Sequence, residues 1–272
     1  MRDRSAAPRR DPVIRARGDF VGVEVGNVDF SEPLGREARQ LLGDILAIYG
    51  AFVVRDQTLS TRQLVDHVSQ FGHPRPGLPS SNGIAFLPGW PEVEVISNEA
   101  WGATARDALA AGDSEWRSGF AWGDGHGGTC LHAIEVPEEG GDLHFISTFE
   151  AYQRLPEGLK GVIRDLSILR GQRPGGSSAP ASQPLVRIEP MTGRPALQLG
   201  RWKGARIAGY SAAASDRLLA ELWEYGVRAA STWTHRFVPG DFLHWDDRWV
   251  MVKADPMPKD SDFILWRTRY VG

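Results

Sequence analysis

Apolar and polar positions alternate over short runs along most of this chain, and only a few stretches repeat at helical spacing. The 20–28 run alternates loosely and predicts a first strand. Ser31 and Pro33 are expected to open a helix, in which Ala38, Leu41, Leu42, Ile45 and Leu46 recur at three- and four-residue steps. Gly50 ends it, and the apolar 51–54 run predicts a short buried strand. Leu59-Ser60-Thr61-Arg62-Gln63-Leu64 has the form of a helix start: Ser60 caps, Gln63 reaches back, and Leu59 packs on Leu64. That helix is expected to reach Phe71 and stop at Gly72. Strands are predicted over 93–97, 116–122 and 129–136. Ser147-Thr148-Phe149-Glu150 reads as a second capping box, and Pro156 opens a further helix. A hairpin over 185–188 and 196–199, a helix over 213–225 ended by Gly226, and two final strand pairs complete the chain. Gly, Pro and Ser gather in 72–89 and 171–182, which read as a surface loop and a hinge, while 99–114 reads as a lid or irregular loop. Many short strands with few helices predict an α+β fold with a β-barrel or jelly-roll core. No repeat or linker divides it, so one domain is expected over 18–272, after a disordered Arg-rich tail at 1–17.

The chain's 272 residues suffice to bury roughly three quarters of the unfolded surface without a cofactor or disulfide. A net charge of −3 gives no general attraction to nucleic acid. Only the tail, with Arg2, Arg4, Arg9, Arg10, Arg15 and Arg17, could act as an arm for an acidic partner. Ten Trp can fill the core or line a pocket. Cys130 is the only cysteine, which excludes an intrachain disulfide and a thiolate-rich metal site; it is expected to pack as a small hydrophobe. With no signal peptide and no apolar run of spanning length, a cytoplasmic protein without a membrane partner is expected.

The most informative stretch is 239–254. Pro239-Gly240-Asp241 is a turn, Phe242 and Leu243 begin a strand, Trp245-Asp246-Asp247-Arg248 is a polar corner, and Trp249 to Val252 is a second apolar run. This resembles the iron(II)/2-oxoglutarate dioxygenases of the taurine dioxygenase (TauD/TfdA) type, which carry Gly-Asp, then Trp-Asp-Asn-Arg, then a metal-binding His four residues after the Arg. Further matches are Ala51-Phe52-Val53-Val54-Arg55, Val95-Ile96-Ser97-Asn98, Gly140-Gly141-Asp142, Thr192-Gly193-Arg194 and Trp266-Arg267-Thr268. The resemblance covers the chain from about Gly22 onward and implies a double-stranded β-helix, or jelly roll, with flanking helices.

What the resemblance implies for chemistry meets a mismatch. The family's two His and one Asp leave open positions on iron for 2-oxoglutarate and oxygen. The matching positions here read Arg117, Gly119 and Val252, so the expectation is a degenerate site with no metal ligand and with iron and 2-oxoglutarate as unused cofactors. Asp124 and His126, in a Gly-rich turn, resemble a ligand pair in reverse order, although such turns hold both residues for local hydrogen bonds. The Thr expected after Gly-Gly-Asp is Leu143, and of two C-terminal arginines only Arg267 matches, the earlier position being Phe263. Arg267 either clamps an anion or pairs with a strand-edge acid. Asp247 either bonds the amides of its turn or faces the pocket as an unmatched carboxylate.

Three functions remain open at this point. One is a metal-independent enzyme performing an elimination, cyclisation or isomerisation on a small anionic metabolite, as in secondary-metabolite biosynthesis. Arg117, Arg267 and Asn98 would bind the anion, and Asp124, His126 and Asp247 would serve as acids and bases. Another is a non-catalytic subunit, forming a homo- or hetero-oligomer with an active homologue. The last is an iron(II)/2-oxoglutarate oxygenase with unorthodox ligands.

Overall fold

The first six strands stay in one large sheet, and from Trp90–Ser97 onward most successive core strands alternate between it and a four-stranded sheet; two smaller sheets, of three and two strands, complete the described strands. The computed structural model describes residues 11–77, 85–97, 113–118, 127–169, 182–199, 204–258 and 261–272. The major sheet runs, in spatial order, Val13–Ala16, Val23–Gly26, Ala51–Val54, Phe242–Asp246, Gly128–Glu135, Ile264–Val271, Trp90–Ser97 and Ala85–Leu87, with His73–Arg75 beside Ile264–Val271. The minor sheet runs Thr232–His235, Leu143–Ser147, Val250–Ala254 and Asp113–Ser118. Pairing is antiparallel in both sheets, except that Val23–Gly26 lies parallel to Ala51–Val54. This is a jelly roll of α+β class, as expected.

Strand periodicity divides the major sheet into two faces. Phe52, Val54, Cys130 and Phe242 point outward and are covered by the helices Arg36–Tyr49 and Thr61–Val68, through Leu42, Ile45, Leu46, Leu64 and Val68. Ala51, Val53, Leu131, Ala133, Leu243, Trp245 and Leu265 point inward and meet Phe145, Trp233 and Val250 of the minor sheet. The second face lines the barrel interior. Cys130 packs as a small hydrophobe, and burial pushes its thiol pKa up.

Local chemistry explains where elements start and stop. The Ser60 hydroxyl accepts the Gln63 amide, and the Gln63 side chain accepts the Ser60 amide at 2.8 Å, closing the expected box. The first helix starts at Arg36 rather than near Ser31, because Asp29 Oδ1 captures the Ser31 amide at 2.8 Å and holds it in a turn. Gly50 ends that helix with a left-handed φ of 72°, where only Gly is unstrained. The second box is half-formed: Ser147 caps the Glu150 amide, but the Glu150 carboxylate turns to Arg154 and Ser231. Gly226 does not terminate a helix. The α-helix Ala212–Leu222 continues as a π-turn, Trp223–Val227, and a Cβ on Gly226 would meet the Ala151 carbonyl oxygen at 2.9 Å.

The tail boundary needs correction. Val13–Ala16 pairs antiparallel with Val23–Gly26, and Arg17 bonds Glu24, so 13–17 are ordered by the sheet; residues 1–10 lie outside the described residues. No described helix is long and apolar enough to cross a membrane.

Candidate active site

On the inward face, Arg267 and Arg269 stand two residues apart on one strand and therefore share a face. Arg267 lies opposite Glu94 on one side and Leu131 on the other; Arg269 lies opposite Thr129. The Glu94 carboxylate accepts hydrogen bonds from Arg267 Nε and Arg269 Nη2, tying Trp90–Ser97 to Ile264–Val271 from inside the barrel. Burial acts to raise the Glu94 pKa, but the charges and hydrogen bonds of the two guanidiniums overcome it and hold the carboxyl below its usual range. Arg267 is thus in an ion pair with an acid on the neighbouring strand, the second of its two sequence readings.

Asp247 joins this group from the turn between Phe242–Asp246 and Val250–Ala254. Its Oδ2 accepts the Thr129 hydroxyl at 2.7 Å and its Oδ1 accepts the Trp245 indole N–H at 2.8 Å. It is Asp246, not Asp247, that serves the turn: it accepts the Arg248 amide at 2.9 Å and the Arg248 guanidinium through both oxygens. Burial raises the Asp247 pKa to about 6, with Asp246 adding to the rise and Thr129, Trp245 and Arg269 opposing it. This group of described residues therefore carries two guanidiniums, the Glu94 carboxylate and one carboxyl whose pKa is raised to about 6. Its net charge is close to zero when Asp247 is ionised and one positive charge when Asp247 is protonated.

Arg117 and Val252 are direct cross-strand partners in the minor sheet, and Val252 is in turn opposite Phe145 of the interior cluster. The fold therefore sets side by side the two residues, Arg117 and Val252, that the resemblance aligns with metal-ligand positions. Their side chains are a guanidinium at the sheet's edge strand and an isopropyl group. Among the described residues, no three His, Cys, Asp or Glu are grouped so as to hold a metal ion. Gly119, Asn98, Asp124 and His126 lie outside the described residues.

Of the histidines of 127–258, His132, His235 and His244 are buried, and His144 is partly exposed. His132 and His244 are buried on the outward face; His132 Nδ1 lies 3.2 Å from the Asp241 carbonyl oxygen, and His244 Nε2 lies 2.9 Å from the Tyr270 hydroxyl. His144 faces away from the interior, 2.9 Å from Asp255. His235 is buried against Asp241 at 3.1 Å, and Asp241 also binds Arg55. Leu143 and Val252 pack on the interior cluster, whereas Trp249 stacks on Phe149 at 5.2 Å in a separate cluster.

Sequence reasoning missed Glu94, Arg269 and Thr129. The two-residue step from Arg267 to Arg269 was a usable signal for Arg269. Glu94 and Thr129 are joined to the site only by sheet register.

Comparison with known proteins agrees with this architecture. The sequence profile of the family described as Taurine catabolism dioxygenase TauD, TfdA family matches residues 12–269. An (S)-phenoxypropionate/alpha-ketoglutarate-dioxygenase of Sphingobium herbicidovorans is 31% identical over 165 residues, which cover 53% of this chain and 57% of that protein. An alpha-ketoglutarate-dependent 2,4-dichlorophenoxyacetate dioxygenase of Cupriavidus pinatubonensis is 28% identical over 256 residues, covering 86% of this chain and 88% of that protein. The crystal structure of AAD-2 in complex with Mn(II) and N-oxalylglycine superposes with a TM-score of 0.82 over 97% of this chain and 98% of that one; at 20% identity it speaks to the fold. These findings overturn the expectation that iron and 2-oxoglutarate are unused: both of these relatives are dioxygenases named for alpha-ketoglutarate, and the solved neighbour holds Mn(II) and N-oxalylglycine.

Proposed function

Because this chain belongs to the TauD/TfdA dioxygenase family, we propose that it binds a small organic anion inside the barrel, against Arg267 and Arg269, and that Asp247 exchanges a proton with that ligand. The observation that carries this reading is the inward-facing group of Arg267, Arg269, Glu94 and Asp247. Guanidiniums present planar donor pairs that match carboxylates and sulfonates. The substrates named for the relatives, phenoxypropionate and 2,4-dichlorophenoxyacetate, are carboxylates, and 2-oxoglutarate is a dicarboxylate of the same ligand class. A carboxyl that titrates near pH 6 is present in both forms around neutrality, as a proton-transferring group should be. Proton transfer next to a bound carboxylate is the step of an isomerisation or elimination.

The side chains at the family's metal positions do not fit a dication. Arg117 brings a permanent positive charge beside the apolar Val252, and neither can ligate iron(II). No step is therefore derived through iron. A second reading, a non-catalytic partner of an active homologue, draws support from Leu143 and Val252, which fill interior volume with apolar groups.

Calorimetric titration with 2-oxoglutarate and with phenoxyacetate, each with and without Mn(II), tests the proposal. Binding by the native chain, weakened at least about tenfold in Arg267→Ala, is expected for the loss of a charge-assisted pair. Equal binding by both proteins would refute the assignment of Arg267.

A further inference from the structure

Glu94 sets an unusual condition on the site. Its side chain is 3% exposed, whereas Arg267 and Arg269 keep 26% and 25% of theirs open. The buried partner is thus the protein's own carboxylate, and the accessible partners are the two cations. Glu94 occupies Arg267 through Nε. Among the described residues the one side-chain hydrogen bond of Arg267 is made through Nε, so its Nη1 and Nη2 groups still offer a donor pair on the inward face of the sheet. An incoming carboxylate at that end would lie close to a carboxylate that cannot move into water, because burial and two guanidiniums fix it. Like charges so placed repel, and water screens them little.

We propose that Glu94 is the specificity-determining residue of this site: as a carboxylate already seated on Arg267 and Arg269, it competes with the ligand and holds down the affinity for anions, for dianions more than for monoanions. The inference rests on the anion-binding reading above and adds to it the residue that grades ligands by charge. Glu94 touches no ligand in this account. It acts through the two arginines, as a positioning residue.

The test is Glu94→Gln, which keeps the shape and removes the charge. Calorimetry would compare native protein, Glu94→Gln and Arg267→Ala with 2-oxoglutarate as the dianion and phenoxyacetate as the monoanion. Glu94→Gln is expected to bind 2-oxoglutarate about tenfold or more tighter than the native chain, with a smaller gain for phenoxyacetate. A merely structural Glu94 would give loss of affinity or no change, and either result overturns the inference. If Glu94→Gln matches the native chain while Arg267→Ala loses binding, the anion site stands and this inference fails. If no protein in the set binds either anion, both fail. Should Glu94→Gln not fold, Glu94→Asp retracts the carboxylate by one methylene and is expected to tighten 2-oxoglutarate binding in the same sense; weaker or unchanged binding would overturn the inference.

Discussion

Replacing Asp247 with Asn should stabilise the protein above pH 6 and have little effect near pH 4. The reason lies in the position of the carboxyl. Burial, with the neighbouring Asp246 carboxylate, raises its pKa from 3.8 to about 6 against the opposing pull of the Thr129 hydroxyl, the Trp245 indole and Arg269. A raised carboxyl pKa means that between these values the native state holds a proton that the unfolded chain has released. Stability therefore falls as pH rises through that window, and the penalty is complete above the folded pKa. Each pH unit is worth about 1.4 kcal/mol, so the full rise corresponds to about 3 kcal/mol; solvent access to the carboxyl reduces this to about 1–3 kcal/mol. Asn can keep the indole bond through its carbonyl oxygen and donate its amide to the Thr129 hydroxyl, so shape and contacts survive. Urea unfolding of both proteins at pH 4, 5, 6, 7 and 8 measures the effect. The stability difference should grow from pH 4 to pH 6 and then level off. A difference independent of pH would refute the reasoning, since it would mean that the Asp247 carboxyl titrates alike in the folded and unfolded chains.

Other consequences can be checked in the same way. His67 is buried between Phe30, Phe71 and Phe242 with neither ring nitrogen partnered among the described residues, and burial lowers its pKa to about 3. Protonation is thus deferred in the folded state, and stability should drop as pH falls from about 6.5 toward 3, by about 1.4 kcal/mol per pH unit; His67→Phe should flatten that slope in acid titrations followed by circular dichroism, and an unchanged slope would assign the loss elsewhere. Asp241 is fully buried against His235 and Arg55, so Asp241→Ala should cost about 3–5 kcal/mol in denaturant melts; a loss below 1 kcal/mol, roughly that of a surface pair, would contradict the network. Ser60→Ala removes the cap of the helix Thr61–Val68 and should cost about 1 kcal/mol. If thermal melts of the variant and native protein coincide, the cap carries no weight.

Local signals in the sequence identified elements well where the chemistry is short-range. The Ser60 box, the 51–54 strand and the Gly50 stop all depend on residues within one turn of each other, and all appear in the fold. Boundaries failed where a side chain was taken by a partner not foreseen: Asp29 holds the Ser31 amide, and Arg154 and Ser231 draw Glu150 away from its cap. The site was legible only in part. Arg267 and Asp247 were identified, but whether Arg267 meets an anion or an acid depended on Glu94, 173 residues earlier in the chain, and only sheet register brings the two together. The burial of His132 and His244 depended likewise on which face of the major sheet the helices cover. The expectation of a degenerate metal site came from motif alignment; the fold adds only that Arg117 and Val252 are cross-strand partners.

The most direct test is a crystal structure of the chain grown with N-oxalylglycine, a close analogue of 2-oxoglutarate. A ligand carboxylate is expected on the outer donors of Arg267, on the inward face of the sheet, with Glu94 still bonded to Nε. Saturating analogue in the crystal with Arg267 in contact with Glu94 alone, or the analogue seated away from the inward face of Ile264–Val271, would contradict it.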